Sequence, residues 1–504
     1  MKILSATQIK EADAFTIANE PIASIDLMER AASAFTDKFL ELFDVYDKPI
    51  TIICGIGNNG GDGLAIARLL HFLRAKPSVF IIGDKLKATE DFNKNYERLE
   101  ATQVPMFLGN EKLQLDINKS EIVIDALFGI GLSRKLENVY KEVVECINQS
   151  GKTVVSVDMP SGLFCDVLNK ENDTIICAAH TITFQQPKLS FLFPENEMFC
   201  GNVHTVNIGL NKRFYSETNS DYFISEKAEF LSAKVFHRNR FSHKGTFGHL
   251  LLVAGSKGKA GAAVLSAKSA LRSGVGLLSI LSAAANIPVL QTVVNEAMCL
   301  EDEAQNFITK IEAEFPDAFA IGPGIDTNEN TADALLLFLK QNEKPLVLDA
   351  DALNILAQQK EFKNLFPKEC VITPHPKEFD RLTGKSNNSF ERLQKARAFS
   401  KEHKVVVVLK GAHTAVVEPS GNVYFNSTGN AGMATAGSGD VATPHPVNNL
   451  RSFLAQGLSA LEAARLAVFL HGLAGDFAAK EKTEMALIAG DIIEFLPQAI
   501  KEMS

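Results

Sequence analysis

The chain has 504 residues, 46% hydrophobic and 22% charged, enough for two or more domains with their own cores. Its net charge of −9 argues against nucleic acid as the main partner, because phosphate backbones call for a basic face. No apolar run approaches the roughly 20 residues that span a bilayer, and the start, MKILSATQIKEADAF, lacks a signal-like apolar core. The seven cysteines form no CxxC pair and read as free thiols, so a cytoplasmic location without a membrane partner is expected.

Segment 5–43 carries apolar residues at helical spacing and reads as helices. Short β-branched runs then alternate with helical stretches. ITIICGIG (50–57), SVFIIG (78–83), EIVIDALFG (121–129) and TVVSVDMPSG (153–162) read as strands; DGLAIARLLHFLRA (62–75) and YKEVVECINQ (140–149) read as helices. NVHTVNIGL is a last strand before the polar boundary at 211–225. The alternation restarts with HLLLVAGS (249–256), the helix AAVLSAKSALRSG (262–274), FAIGPG (319–324), KPLVLDADAL (344–353) and ECVITPHP (369–376). KVVVVLKGAHTAVVEP (404–419) reads as a hairpin, and LSALEAARLAVFLHGLAGDFAAK (458–480) as a closing helix. The pattern predicts two α/β domains in series, 1–215 and 223–504, each a mostly parallel sheet covered on both faces.

GNNGGDG (57–63) follows a strand and opens a helix, where N–H groups and the helix dipole favour anions. It is not GxGxxG, so the dinucleotide fingerprint is not met and a simple dehydrogenase is disfavoured. Asp125 ends a second strand before a glycine-rich, basic loop, and Asp158 and Ser161 end a third. Carboxyl ends of parallel strands line one crevice. Asn59, Asp125, Asp158 and Ser161 therefore converge there, suited to a hard cation or to proton transfer.

GNNGGDG, DALFGIGL and VDMPSG together resemble the NAD(P)H-hydrate epimerase family across essentially the whole first domain. The resemblance implies a Rossmann-like three-layer fold and interconversion of the R and S forms of hydrated nicotinamide cofactors, NAD(P)HX. By the same resemblance Asn58, Asn59, Gly60, Gly61, Asp62, Gly129, Ile130, Gly131, Leu132, Ser133, Arg134, Lys135, Tyr140 and Asp158 contact NAD(P)HX. Asn59, Asp125 and Ser161 hold potassium, and Asp158 acts as acid and base.

In the second half, IGPGI (321–325), DADAL (349–353) and TPHPKEF (373–379) each follow a strand. His375 stands between two prolines in a rigid loop facing the crevice, and Lys410 of KGAHT is placed to meet a phosphate. NSTGNAGMATAGSGD (426–440) is a chain of backbone donors ending in GSGD. With PHPKEF, KGAHT and GNAGMAT, that ending resembles the ribokinase-like ADP-dependent NAD(P)H-hydrate dehydratases, over nearly the whole second domain. The resemblance implies a ribokinase-like three-layer fold. It implies that Lys410, Gly411, Ala412, His413, Thr414, Asn430, Ala431, Gly432, Met433, Ala434, Thr435, Ala436, Gly437, Ser438 and Gly439 bind ADP or ATP with magnesium. Ala262, Gly324, His375 and Asp440 face NAD(P)HX, with Asp440 as base. A homo-oligomer is expected. The order, epimerase then dehydratase, matches the bifunctional repair family.

A ribokinase-like kinase with an accessory domain shares GSGD but does not account for GNNGGDG; a non-catalytic scaffold does not account for Asp62, Asp125 and Asp158. One stretch departs from the family. GSGD continues as VATPHP, where interior prolines cost a helix about 3 kcal/mol each. Residues 441–447 are therefore expected to be non-helical or poorly ordered, with a helix restarting near Asn448 or Asn449 and the dehydratase step slowed while ADP affinity is largely kept.

Overall fold

The computed structural model describes residues 1–359, 365–434 and 445–504. Two compact units emerge, Lys2–Ser220 and Asp221–Ser504 with Met1.

The first unit opens with two helices, α1 (Ala6–Asn19) and α2 (Ser24–Leu42). Seven strands follow: β1 (Pro49–Cys54), β2 (Lys76–Ile81), β3 (Met106–Leu108), β4 (Ile122–Ala126), β5 (Thr153–Val157), β6 (His180–Phe184) and β7 (Asn202–Val206). They pair in the order β3-β2-β1-β4-β5-β6-β7, every pair parallel. This is the doubly wound order, whose switch point between β1 and β4 opens a crevice at the strands' carboxyl ends.

Side-chain alternation builds the three layers. Ile50, Ile52, Ile124 and Ala126 face a core with α2 and with α3 (Asn58–Phe72) and α4 (Glu90–Glu100). Ile53, Val123 and Phe80 face the opposite core, with Val143, Val144 and Ile147 of α5 (Asn138–Gln149). Both faces are buried, so the strands read as unbroken apolar runs rather than alternating ones. α3 begins at Asn58, four residues before the helix read from the sequence. Its first turn is built from the glycines themselves, and a Cβ on Gly60 would lie 1.8 Å from the Gly55 carbonyl oxygen. Only glycine lets the helix start so close to the strand it leaves.

In the second unit the strands are β8 (Tyr222–Ile224), β9 (His249–Val253), β10 (Leu277–Ser282), β11 (Met298–Glu301), β12 (Ala318–Ile321), β13 (Leu346–Leu348), β14 (Cys370–Ile372), β15 (Val406–Leu409), β16 (Ala415–Val417) and β17 (Val423–Phe425). They run β8-β17-β16-β15-β14-β13-β12-β9-β10-β11, parallel from β11 to β15. The expected hairpin is β15–β16, and β17 extends it antiparallel.

Helices α6 (Ala260–Arg272), α7 (Pro376–Thr383), α8 (His445–Ala455), α9 (Ala460–Lys482) and α10 (Ala489–Met503) include those that pack the main core. α9 is buried along most of its length through Ala463, Ala467, Ala474 and Ala478, small residues that let neighbouring helices approach closely. Its start is held by a capping box between Ser459 and Glu462. α8 begins at His445, earlier than the expected restart at Asn448 or Asn449, so 445–447 are helical. Pro446 stands in the first turn, where a missing N–H forfeits no intrahelical bond. Residues 441–444 lie outside the described residues. Among the described residues no helix is long and apolar enough to cross a membrane.

Candidate active sites

The first crevice is floored by Asp125, at the end of β4 and fully buried. Its Oδ2 accepts from Ser156 Oγ and from Ser161 N, both at 2.8 Å; its Oδ1 accepts from Ser161 Oγ at 2.6 Å and Leu127 N at 3.3 Å. Burial pushes this carboxyl up, and the bonds from Ser161 and Ser156 draw it part of the way back. Ser161 Oγ also accepts from Phe128 N at 2.9 Å. Asn59 sits against the same loop: its Oδ1 is 3.0 Å from where a Cβ on Gly129 would lie, and its Nδ2 is buried without a partner among the described residues. Asn59 and the Asp125–Ser161 pair therefore both meet the loop at 127–129.

Asp158 follows β5 in the left-handed region, at φ 63°. Its Oδ1 accepts from Lys188 Nζ at 2.6 Å and from Thr183 Oγ1 and Phe184 N, both at 3.1 Å. Lys188 is itself 1% exposed and also donates to Thr183 Oγ1 and the Phe184 carbonyl. The sequence reading missed Lys188. The signal was there: it is the one Lys, Arg, Asp or Glu in HTITFQQPKLSFLFP (180–194), and a lone charge in an apolar run must be paired if it is buried.

Asp62 lies in the second turn of α3, beyond the open first-turn N–H groups of Asn58, Asn59 and Gly60. Burial, then the charges of Asp158, Asp13 and Asp91, hold its carboxyl well above the usual range. Gly61 packs on Met28, Ile130 joins the cluster of Met159 and Leu163, and Leu132 joins the core under α5. Gly131, Ser133, Arg134 and Lys135 are exposed on the rim, Lys135 paired with Glu137 at 3.3 Å. Tyr140 stacks edge-on against Phe128 at 4.9 Å, beside Gly83 at the end of β2. The predicted residues thus gather around the switch point.

The second crevice lies at the ends of β9, β12, β13 and β14. Gly324, at φ 64°, and Ala262 are neighbours: a Cβ on Gly324 would come within 3.2 Å of Ala262 Cβ. Asp349 ends β13, fully buried; its Oδ1 accepts from Lys410 Nζ at 2.7 Å and Thr373 Oγ1 at 2.9 Å. The buried Arg451 guanidinium of α8 is 3.8 Å from its Oδ2. Lys410, expected to meet a phosphate, is thus bound to a buried carboxylate and only 10% exposed. His375 caps α7: its Nδ1 accepts from Lys377 N at 3.1 Å and Glu378 N at 3.3 Å, which leaves the ring proton on Nε2, facing Glu378 Oε1 at 3.3 Å. Burial pushes Glu378 up to about 7, Lys410 opposing the rise and Asp349 adding to it.

Gly411 and Thr414 close a turn, Thr414 Oγ1 donating to the Gly411 carbonyl at 3.0 Å, with Ala412 exposed and His413 Nδ1 3.3 Å from the Asn426 carbonyl. Asn430 Nδ2 donates to Asp476 at 2.9 Å; Ala431–Met433 form a 3₁₀ turn leading to Ala434. Gly432 packs on the Glu484 backbone and Met433 on Gly475. Thr435, Ala436, Gly437, Ser438, Gly439 and Asp440 lie outside the described residues. The sequence reading missed Arg451 and Asp476 and gave Asp349 no role.

A family model described as YjeF-related protein N-terminus matches residues 24–190, and one described as NAD(P)H-hydrate dehydratase matches residues 250–498. Curated relatives include bifunctional NAD(P)H-hydrate repair enzymes from Thermofilum pendens, 33% identical over 518 residues (100% of this chain, 97% of the relative), and from Moorella thermoacetica, 33% identical over 522 residues (100% and 97%). The Escherichia coli relative is 32% identical over 455 residues (89% and 84%). A Bacillus subtilis ADP/ATP-dependent NAD(P)H-hydrate dehydratase crystallised with ATP/Mg2+ aligns at 30% identity and TM-score 0.49, over 56% of this chain and 99% of its own.

Proposed function

We infer, from the premise that the chain belongs to the bifunctional NAD(P)H-hydrate repair enzymes, a division of labour between its units. The protein repairs hydrated nicotinamide cofactors, epimerising R- and S-NAD(P)HX and dehydrating the S form to NAD(P)H at the expense of ADP or ATP. We assign epimerisation to Lys2–Ser220 and dehydration to Asp221–Ser504.

The observation that carries the first assignment is the buried Asp158–Lys188 pair beside the open start of α3. The pair supplies a localised carboxylate for a substrate proton, and the first-turn N–H groups suit the cofactor's phosphates. Asn59, Asp125 and Ser161 fit potassium: one carboxylate and two neutral oxygens balance a single positive charge, and Asn59 Nδ2 has no partner among the described residues. The ion would compensate the buried Asp125 charge and fix the loop at 127–129.

In the second unit Lys410 and Arg451 face a single buried aspartate, a cationic surround suited to phosphoryl groups. The hydroxyl of S-NAD(P)HX attacks the terminal phosphoryl group of the nucleotide, and we assign its proton to Asp440. Phosphate then leaves with the C–O electrons, and loss of the neighbouring proton restores the ring double bond. We assign magnesium to the nucleotide's phosphates.

All seven cysteines are free, which supports a reducing cytoplasm. We carry the homo-oligomer forward as part of this reading, to be measured by light scattering. The test of function is incubation of the full chain with R,S-NADHX and ADP. NADH absorbance should rise in a fast phase that consumes the S form and a slow phase limited by epimerisation. Asp158→Asn should remove the slow phase alone; loss of both phases in a folded variant contradicts the division of labour.

A further inference from the structure

The first helix of the chain reaches the epimerase site, and nothing in the chemistry above uses it. α1 is fixed at several points. Ser5 caps it, Ala6 N donates to the Asp166 carboxylate at 3.0 Å, and Thr16 Oγ1 accepts from Asn211 N at 3.0 Å. Its buried residues are Ile9, Ala12 and Thr16. Asp13 stands four residues after Ile9 and three before Thr16, so it shares that inward face. One turn earlier Lys10 reaches the rim loop, its Nζ 3.5 Å from where a Cβ on Gly131 would lie.

The charges of Asp158 and Lys188 act on the Asp13 carboxyl, and the Asp13 charge in turn raises Asp62, together with Asp158 and Asp91, and Tyr215. The Tyr215 hydroxyl is buried and has no partner among the described residues, and neither has either amide atom of Gln186, whose carbonyl lies 3.4 Å from Lys188 Nζ. Unpartnered buried polar atoms beside a carboxylate–lysine pair mark a place where a polar ligand completes the network.

We propose that Asp13 is the second proton-exchanging group of the epimerase site; this rests on the epimerase reading above. The chemistry demands two such groups. Adding water across an enamine double bond puts the hydroxyl on the carbon bonded to nitrogen. To invert that carbon by ring opening, Asp158 takes the hydroxyl proton, the C–N bond breaks with its electron pair moving to nitrogen, and Asp13 gives its proton to that nitrogen. The open form is an aldehyde and an amine. Rotation about the adjacent C–C bond presents the other aldehyde face; nitrogen attacks it and returns its proton to Asp13, while Asp158 returns the hydroxyl proton to the new alkoxide oxygen. No oxidant or co-reactant is needed. The electrostatics suit the roles: Lys188 stabilises charge on Asp158, whereas burial and then the Asp158 charge push Asp13 up to about 7, against a smaller pull from Lys188. A carboxyl that holds its proton near neutral pH can donate it.

The test uses the full chain and the slow, epimerisation-limited phase of NADH formation, with hydrogen exchange in β4 to β6 reporting that the first unit is folded. Asp13→Asn should slow the slow phase by about 100-fold or more, leaving the fast phase intact. Asp13→Glu should recover part of the rate. In the wild type the slow phase should fall as pH rises above about 7, and this limb should be absent from the residual rate of Asp13→Asn. An Asp13→Asn rate within threefold of wild type with the same pH limb overturns the proposal, as does equal loss in Asp13→Asn and Asp13→Glu with the limb unchanged. If Asp158→Asn leaves the slow phase untouched, the epimerase reading itself fails; if Asp158→Asn abolishes it and Asp13→Asn does not, only the role of Asp13 falls.

Discussion

Replacing Lys188 with methionine tests the centre of the first site. Lys188 Nζ and Asp158 Oδ1 are 2.6 Å apart, with side chains 1% and 11% exposed. Methionine keeps most of the stem and removes the charge. Asp158 then retains Thr183 Oγ1 and Phe184 N as donors, but it faces Asp13 and Asp62 without a counter-ion. At an effective dielectric of about 20 the lost attraction is about 6 kcal/mol before compensation. Losing one member of a buried pair costs about 3–5 kcal/mol net. For a unit of this size that lowers the unfolding midpoint by about 6–20 °C. Asp158→Asn is the right partner substitution, because asparagine tolerates the left-handed backbone at φ 63° whereas alanine would add strain. The assay is urea titration of full-length K188M, D158N and the double variant, read by hydrogen exchange in β4 to β6 so that the first unit reports alone. The double variant should regain stability relative to K188M, with a coupling energy of at least about 2 kcal/mol. Additivity within about 0.5 kcal/mol, or a K188M loss below about 1 kcal/mol, refutes the claim that this pair organises the site.

Gly60→Ala should destabilise the first unit by about 3 kcal/mol or more and abolish epimerisation, since the added methyl meets the Gly55 carbonyl at 1.8 Å and backbone must move; urea midpoints and the slow phase report both. Asp13→Asn should stabilise the fold above pH 7 and change it little at pH 4. The folded state binds the Asp13 proton more tightly than the unfolded chain, so the wild type loses up to about 4 kcal/mol as pH rises from 3.8 to about 7, and the asparagine variant does not; melting curves at pH 4 and 8 measure the difference. Asp349→Asn should cost about 3–5 kcal/mol in the second unit, because Lys410 and Arg451 stay buried without their anion; hydrogen exchange in β13 and β14 checks it. Pro446→Ala should change stability by less than about 1 kcal/mol in urea titration, since its place is the first turn of α8.

What the sequence disclosed follows from local physics. β-branched runs ending in Gly, Asp or Ser marked Asp125, Asp158 and Ser161 because a parallel sheet brings such ends together whatever lies between them. The start of α3 was read four residues late, because glycine is a poor helix former and only packing against Gly55 makes the early start favourable. Lys188 and Asp13 escaped because they enter the site from distant parts of the chain. A lone lysine in an apolar run and an aspartate within a helix's buried stripe are ordinary until tertiary structure sets them face to face. Lys410 was read as a phosphate ligand from its loop alone; its engagement with Asp349 depends on β13, some 60 residues away. The proline stretch was misjudged at its far end because proline's cost applies to a helix interior, and α8 places Pro446 in the opening turn.

The two units use one architectural rule with opposite electrostatic signs. In the first unit Lys188 is paired with Asp158, and Asp13 and Asp62 both feel the Asp158 charge. Burial and the neighbouring acidic charges raise the carboxyls of Asp62 and Asp13, so both hold a proton more tightly than usual. Such a site stores a proton beside a base, as inversion at a hydroxyl-bearing carbon requires, and offers no net attraction to a transferring phosphoryl group. At the ends of the second sheet one buried aspartate faces Lys410 and Arg451, with Glu378 raised to about 7. Positive charge there is matched to a nucleotide's phosphates and to the charge that develops on transfer. Exchanging the signs would disable both units. A cation-rich first site would strip the proton from Asp13, and an acid-rich second site would repel the nucleotide. The same crevice in the same class of sheet is thus committed to proton exchange or to phosphoryl transfer by the count of buried acids against buried bases.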